Sequence, residues 1–165
     1  MPDRMLTAHA VSCAGFAPFG WLIDATDRAG TSINNGSSQR IDGLTQLALD
    51  AEGGKPCLAV YKAKTQNLAG PWKQLERHRL STQTFIPLNG VRYVVLAALG
   101  KDQPDPSTLK AFMVGGHQGI TIAAGIWHHS LIALQDGSFA VLERSAAAVD
   151  CEVASLSQAL GLMLP

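Results

Sequence analysis

Residues Phe85 to Leu99 constrain the fold more than any other stretch of the chain. Val94-Val95-Leu96-Ala97-Ala98-Leu99 is apolar at every position. Successive side chains of a strand point to opposite faces, so this strand must be buried on both sides. Asn89-Gly90 separates it from a second apolar run, Phe85-Ile86-Pro87-Leu88. That dipeptide suits a two-residue type I′ turn and predicts a β-hairpin. Asp136-Gly137 stands between Trp127–Leu134 and Phe139–Glu143 and predicts a second hairpin.

The remaining chain reads mostly as short strands. Leu44–Leu49 is a weak strand candidate, while Leu58–Ala63, Trp72–Arg79 and Gly119–Ile122 are clearer ones. In Leu58–Ala63, Leu58, Val60 and Lys62 share one face. Lys62 then marks either the wet end of the strand or an anion pocket. Helical signals are few. Ser12 can cap a turn before Pro18, and Asp105-Pro106 can open a helix of one to two turns running to Met113. The tail from Val149 reads as a short helix capped by Ser155. Asn34-Asn35-Gly36 is a turn signal whose amides either shape the turn or face a ligand. With no βαβ alternation and no internal repeat, the prediction is one all-β domain over residues 1–165, a barrel or sandwich with short peripheral helices.

Composition narrows the partners. Thirteen Lys and Arg balance thirteen Asp and Glu. A zero net charge argues against nucleic acid or an anionic membrane as obligatory partners. No apolar run is long enough to span a bilayer, and Met1-Pro2-Asp3-Arg4 leads into no signal-peptide core. Cys13, Cys57 and Cys151 are odd in number and lack Cys-x-x-Cys spacing, so neither a disulfide framework nor a zinc knuckle is expected. Cys57 reads as a small buried hydrophobe. The expected location is cytoplasmic.

The chemistry-bearing residues cluster around Glu76 and Trp127. Period two places Gln74, Glu76 and His78 on one face of the Trp72–Arg79 strand. Gln83 follows after a bend. On Trp127–Leu134, His128, Ser130, Ile132 and Leu134 share a face opposite Trp127 and His129, so only one of the paired histidines can enter a given cavity. Carboxylate, imidazole and amide oxygen suit Mn, Fe, Ni or Zn. Three or four such donors with open positions make a catalytic metal layout. On these residues alone a solvated polar strand is the commoner explanation.

The order of several stretches adds a resemblance. Glu76-x-His78-x4-Gln83-x6-Gly90 is similar to the first cupin motif, with Glu76 in place of its first His and Gln83 in place of its Glu. Gly125-Ile126-Trp127-His128 resembles the end of the second cupin motif. The chain from about Phe16 to Arg144 resembles the ureidoglycolate lyase family. The likeness is carried by Phe16-Ala17-Pro18-Phe19-Gly20, Ile33-Asn34-Asn35-Gly36, Leu75-Glu76-Arg77-His78, Thr82-Gln83-Thr84-Phe85-Ile86-Pro87-Leu88, Pro104 to Phe112, Gln118-Gly119 and Trp127-His128-His129.

That resemblance implies a cupin double-stranded β-helix, or jelly-roll barrel, usually a homodimer. It implies cleavage of ureidoglycolate to glyoxylate and urea in purine and allantoin breakdown, with a divalent metal, nickel by attribution. Carried onto this sequence, the metal ligands are Glu76, His78, Gln83 and His128. Glu76, His78 and His128 are the catalytic candidates. Lys62, Asn34, Asn35, Gln83 and Trp127 are the candidates for holding a small carboxylate substrate. Three positions depart from the family: Ile122-Ala123-Ala124 replaces a Tyr-His-Arg-like sequence, Ser130 replaces a Pro, and Lys62 replaces an Arg. The alternatives are a cupin enzyme on a related hydroxy or ureido acid, and a non-catalytic carboxylate binder.

Overall fold

The computed structural model describes residues 1–165. The doubly apolar run forms β8 (Tyr93–Ala98), buried at all six positions. Its odd residues Tyr93, Val95 and Ala97 enter one core, and its even residues Val94, Leu96 and Ala98 enter another. Period-two alternation therefore makes one strand the wall between two cores.

The other strands are β1 (Arg4–Ala10), β2 (Gly20–Ile23), β3 (Thr31–Ile33), β4 (Ser38–Arg40), β5 (Lys55–Ala63), β6 (Trp72–Arg77) and β7 (Gln83–Pro87). After β8 come β9 (Lys110–Val114), β10 (Gly119–Ile122), β11 (Trp127–His128), β12 (Ile132–Ala133), β13 (Gly137–Ser145) and β14 (Glu152–Met163). In the larger sheet the order β11-β6-β14-β1-β9-β8 closes on itself, because β11 also pairs with β8. This six-stranded barrel encloses Leu75, Leu96, Trp127, Ile132, Leu160 and Leu162. A five-stranded sheet, β2-β10-β7-β13-β5, packs on its flank. Between the two lie Phe85, Tyr93, Phe112, Ile120, Phe139 and Val141, with Phe16 and Phe19 from and beside the single α-helix α1 (Cys13–Phe16). The architecture is a cupin-type all-β fold.

Several local expectations change. Neither predicted hairpin forms. β7 pairs with β10 and β13, whereas β8 pairs with β9, β11 and β12. Both edges of each strand are taken, so Asn89-Gly90 carries the chain from one sheet to the other. Gly90 alone takes the left-handed conformation (φ 71°), and a type I′ turn needs two such residues. Asn89 instead uses Oδ1 to accept from the Ser138 backbone N–H at 3.0 Å. Asp136-Gly137 likewise joins strands of different sheets, β12 and β13.

Asp105 does cap a turn, its Oδ1 accepting from Ser107 N at 2.9 Å, but the turn stops at Thr108. Residues Lys110–Val114 then join the barrel as β9, with Ala111 in one core and Phe112 and Val114 in the other. The tail is no helix: β14 runs twelve residues between β1 and β6. In both places a vacant barrel position outweighs weak helix propensity. Leu44–Leu49 forms no strand and lies over the flanking sheet, Thr45 Oγ1 standing 2.6 Å from Thr121 Oγ1. Ser12 caps α1 as expected, accepting from Gly15 N at 3.0 Å.

Candidate metal centre

β6 and β11 run antiparallel with Glu76 directly opposite His128. Residues opposite each other share a face. Glu76 and His128 therefore look into the gap between barrel and flanking sheet, while Leu75 and Trp127 look into the barrel. His78 follows just past the end of β6, and Gln83 opens β7 across the gap. One ligand atom each from Glu76, His78 and His128 falls within 4.8 Å of the others. Gln83 Oε1 lies 3.2 Å from His128 Nε2, and Glu76 Oε1 lies 3.7 Å from the same nitrogen.

The hydrogen bonds around the rings fix what they offer. His128 Nδ1 is 2.9 Å from the Ile126 carbonyl, and His78 Nδ1 is 2.6 Å from the Asp150 carbonyl. A carbonyl only accepts, so each Nδ1 carries a proton, and the neutral form of either ring keeps its lone pair on Nε2. His128 is 1% exposed, and burial lowers its pKa to about 4, so it is neutral at ordinary pH. Its Nε2 lone pair faces the oxygen of Gln83 with no proton between them. His78 Nε2 is buried and has no hydrogen-bond partner at all. Glu76, Gln83 and His128 thus converge as acceptors, with His78 Nε2 unpartnered beside them. Such a cluster is costly alone and becomes favourable around a cation. The residues present fit a divalent metal, with Asp150 and Ile126 as the carbonyls that aim the imidazoles.

The cluster opens into a cavity of about 300 Å3, whose lining includes Cys57, His78, Gln83, Glu143, Asp150 and Cys151. Cys57 is thus a wall of the cavity rather than a core residue. Cys151 Sγ is 3.8 Å from Glu76 Oε2, and burial, followed by the Glu76 charge, raises its pKa. Beyond Gln83 the polar chain continues. Gln83 Nε2 donates to Glu143 Oε2 at 3.0 Å, and the Tyr61 hydroxyl is 3.1 Å from each Glu143 oxygen. Burial, then Glu143, pushes the Tyr61 phenol up to about 12, so it stays a donor.

The structure brings Glu76, His78, Gln83 and His128 together. It does not bring Lys62, Asn34, Asn35 or Trp127 to this cavity. Lys62 shares the outer face of β5 with Leu58 and Val60, which are 72% and 59% exposed, so it stands on the solvent side of the sheet. Asn34 and Asn35 form the exposed tip between β3 and β4, both in the left-handed region that Asn tolerates (φ 51° and 55°). Trp127 fills the barrel core beneath Arg77. His129 diverges from His128, as strand parity requires, and stands edge-on to Trp72 at 4.7 Å. Ile132, placed by parity beside His128, lies in the barrel core instead, because the strand breaks at residues 129–131.

Sequence reasoning missed Tyr61 and Glu143. The signal was present: Phe139, Val141 and Glu143 alternate on one face, and an apolar inner face at Phe139 and Val141 carries Glu143 inward with them.

Comparison with known proteins identifies the family. The sequence pattern of the family described as Ureidoglycolate lyase matches residues 3–163. A ureidoglycolate lyase of Azotobacter vinelandii is 33% identical over 150 residues, covering 90% of each chain. One from Burkholderia mallei is 36% identical over 142 residues, covering 86% of this chain and 83% of its own. One from Escherichia coli is 36% identical over 149 residues, covering 90% and 92%. A match over nearly the whole chain, on a cupin-type barrel with four converging candidate ligands, places this protein in the ureidoglycolate lyase family.

Proposed function

We propose that this chain is a metal-dependent ureidoglycolate lyase, a carbon–nitrogen lyase of the amidine-lyase type that releases glyoxylate and urea. The observation that carries the reading is the facing of acceptors: Gln83 Oε1 against His128 Nε2 at 3.2 Å, with the orphaned His78 Nε2 beside them. Glu76, His78, Gln83 and His128 would hold the ion, nickel in this reading. A divalent cation there supplies positive charge that attracts the substrate's oxygens and makes its hydroxyl more acidic.

The lining supports the need for that charge. Glu143 and Asp150 face the cavity, and the one Arg at its rim, Arg144, is engaged by the carbonyls of Ala51 and Glu52. An acidic substrate entering such a lining needs a counter-cation. Glu76 Oε2, the carboxylate oxygen turned away from His128, takes the hydroxyl proton. The C=O bond forms as the C–N bond breaks, and the same proton passes from Glu76 to the departing urea nitrogen. Atoms and charge balance without a further reactant.

One observation keeps a related acid in view as substrate. Ile122 pairs in register with Gln83 and is buried, so the wall beside Gln83 carries no polar group there. A thermal-shift screen stabilised by a different hydroxy or ureido acid, and not by ureidoglycolate, would select that reading.

The same proposal includes a homodimer formed through the outer face of the flanking sheet. Val60, Ala140 and Ile86 stand in one row across β5, β13 and β7, with Leu58 beside them, and this face is apolar and open. Val60→Glu should turn a dimer into a monomer in light scattering. No helix is long and apolar enough to cross a membrane, and the three free cysteines fit a reducing, cytoplasmic location.

The deciding experiment is metal analysis of the purified protein together with a urea-release assay on ureidoglycolate. Turnover that needs a divalent ion supports the proposal. No urea release with any divalent ion supplied would overturn it.

A further inference from the structure

An amide side chain has two chemically opposite ends. Its oxygen can accept or ligate, and its NH2 can only donate. Gln83 sits between two acceptors that compete for that NH2. On one side is His128 Nε2, and on the other is the Glu143 carboxylate. Were Gln83 rotated by half a turn, its NH2 would donate to His128 Nε2 and satisfy it. The cluster would then hold a donor, and the His128 lone pair would be occupied. The observed orientation is the reverse, with Nε2 on Glu143 at 3.0 Å and Oε1 toward His128. An ionised carboxylate is the stronger acceptor, and rotation would set the amide oxygen against it.

Glu143 is itself held. Tyr61 places its hydroxyl 3.1 Å from both carboxylate oxygens. The Tyr61 ring stands edge-on to Phe85 at 6.2 Å. Tyr61 lies on β5, Glu143 on β13 and Gln83 on β7, three adjacent strands of the flanking sheet. The ligands Glu76 and His128 belong to the barrel across the gap.

We infer that Glu143, steadied by Tyr61, is a positioning residue that keeps the oxygen of Gln83 turned toward the metal centre and so holds the His128 lone pair open. This rests on the metal-dependent reading proposed above and goes beyond it. Neither Glu143 nor Tyr61 is a ligand in it; both act through the rotation of one amide.

The test is calorimetric titration of Ni2+ into metal-stripped protein, with folding checked by circular dichroism. Wild type should bind one ion. Glu143→Ala should weaken binding by about 10- to 100-fold, the usual range for residues that orient metal ligands. Tyr61→Phe should weaken it less, and Glu143→Gln, which keeps one acceptor oxygen for Gln83, should fall between. The discriminating measurement is a double-mutant cycle. In a Gln83→Ala background there is no amide to orient, so adding Glu143→Ala should cost nothing further. Full additivity would overturn the inference, because Glu143 would then act directly or through general electrostatics. Unchanged Ni2+ binding in Glu143→Ala would also overturn it. Failure of wild type to bind Ni2+ or any other divalent ion would instead sink the metal-dependent reading beneath it.

Discussion

β6 and β11 carry two polar clusters, back to back, and the two are balanced in opposite ways. On the barrel side, the Arg77 guanidinium lies 4.2 Å from the Trp127 ring and pairs with Glu152 at 2.7 Å. It also donates to the Lys101 carbonyl. A buried cation there meets an anion, an acceptor and an aromatic face. Two N–H groups there, Trp127 Nε1 and Arg77 Nη2, have no hydrogen-bond partner, although Nη2 lies 2.7 Å from Glu152 Oε2 as an ion pair. On the other side, one residue away on each strand, His128 Nε2 faces Gln83 Oε1 and Glu76 Oε1, and the Cys151 thiol reaches Glu76 Oε2 at 3.8 Å. In the first cluster a cation is matched by an anion, a carbonyl and an aromatic face; in the second, acceptors face acceptors, an arrangement that a cation would favour. Polarity within a strand is thus a poor guide to function, and the balance of donors against acceptors is a better one.

Substitutions on the two sides should therefore separate stability from chemistry. The largest effect is expected from Trp127→Ala, which empties the barrel core and should cost about 3–5 kcal/mol in denaturant unfolding. Turnover per folded molecule should survive that loss, and its disappearance would merge the two clusters into one. His78→Ala should do the opposite. Urea release should fall by about 100-fold or more, since a ligand is lost, while the unfolding temperature moves by roughly 2 °C or less.

Arg77→Met keeps much of the packing and removes the charge, and should cost about 1–2 kcal/mol through the lost stacking and hydrogen bonds. That cost should depend on pH. The Arg77 hydrogen bond holds the Glu152 carboxyl below its ordinary value of 4.5. A lowered folded-state pKa stabilises fully above that value and is lost as the carboxyl takes up its proton. The gap between wild type and Arg77→Met should therefore narrow as pH falls below 4.5, as read from urea midpoints across pH. The smallest effect is expected at Lys62 on the outer face. Lys62→Ala should leave turnover within about twofold, as surface substitutions generally do. A large drop would show that this Lys reaches the substrate after all.

Much of this arrangement could be read before any coordinates. The burial of Val94–Leu99 on both faces, the separation of His128 from His129, and the common face of Glu76 and His78 all follow from period-two alternation, which depends on backbone geometry alone. Boundaries and partners were harder. Asn89-Gly90 has the composition of a hairpin turn, but the edges of β7 and β8 were already claimed by other strands. The tail from Val149 reads as a short helix, and its residues Glu152–Met163 form β14 instead, because pairing with β1 and β6 closes the barrel. At the site, the four expected ligands converge, whereas Tyr61 and Glu143 went unread because their contact with Gln83 depends on β7, β13 and β5 lying side by side.

The sequence alone carries the alternation, the order of its motifs and hence the family, since these depend on neighbouring residues and on collinear pattern. Three things had to wait for the assembled fold: which sheet each strand joins, which way each polar side chain looks, and the rotation of the Gln83 amide between Glu143 and His128. These depend on atoms distant along the chain, with Gln83 standing 60 residues from Glu143 and 45 from His128. The candidate metal centre begins in the sequence as a Glu-His pair on one strand. In the fold it gathers Glu76, His78 and His128 within 4.8 Å, with Gln83 Oε1 3.2 Å from His128 Nε2, because carbonyls and a carboxylate drawn from other parts of the chain orient the imidazoles and the amide.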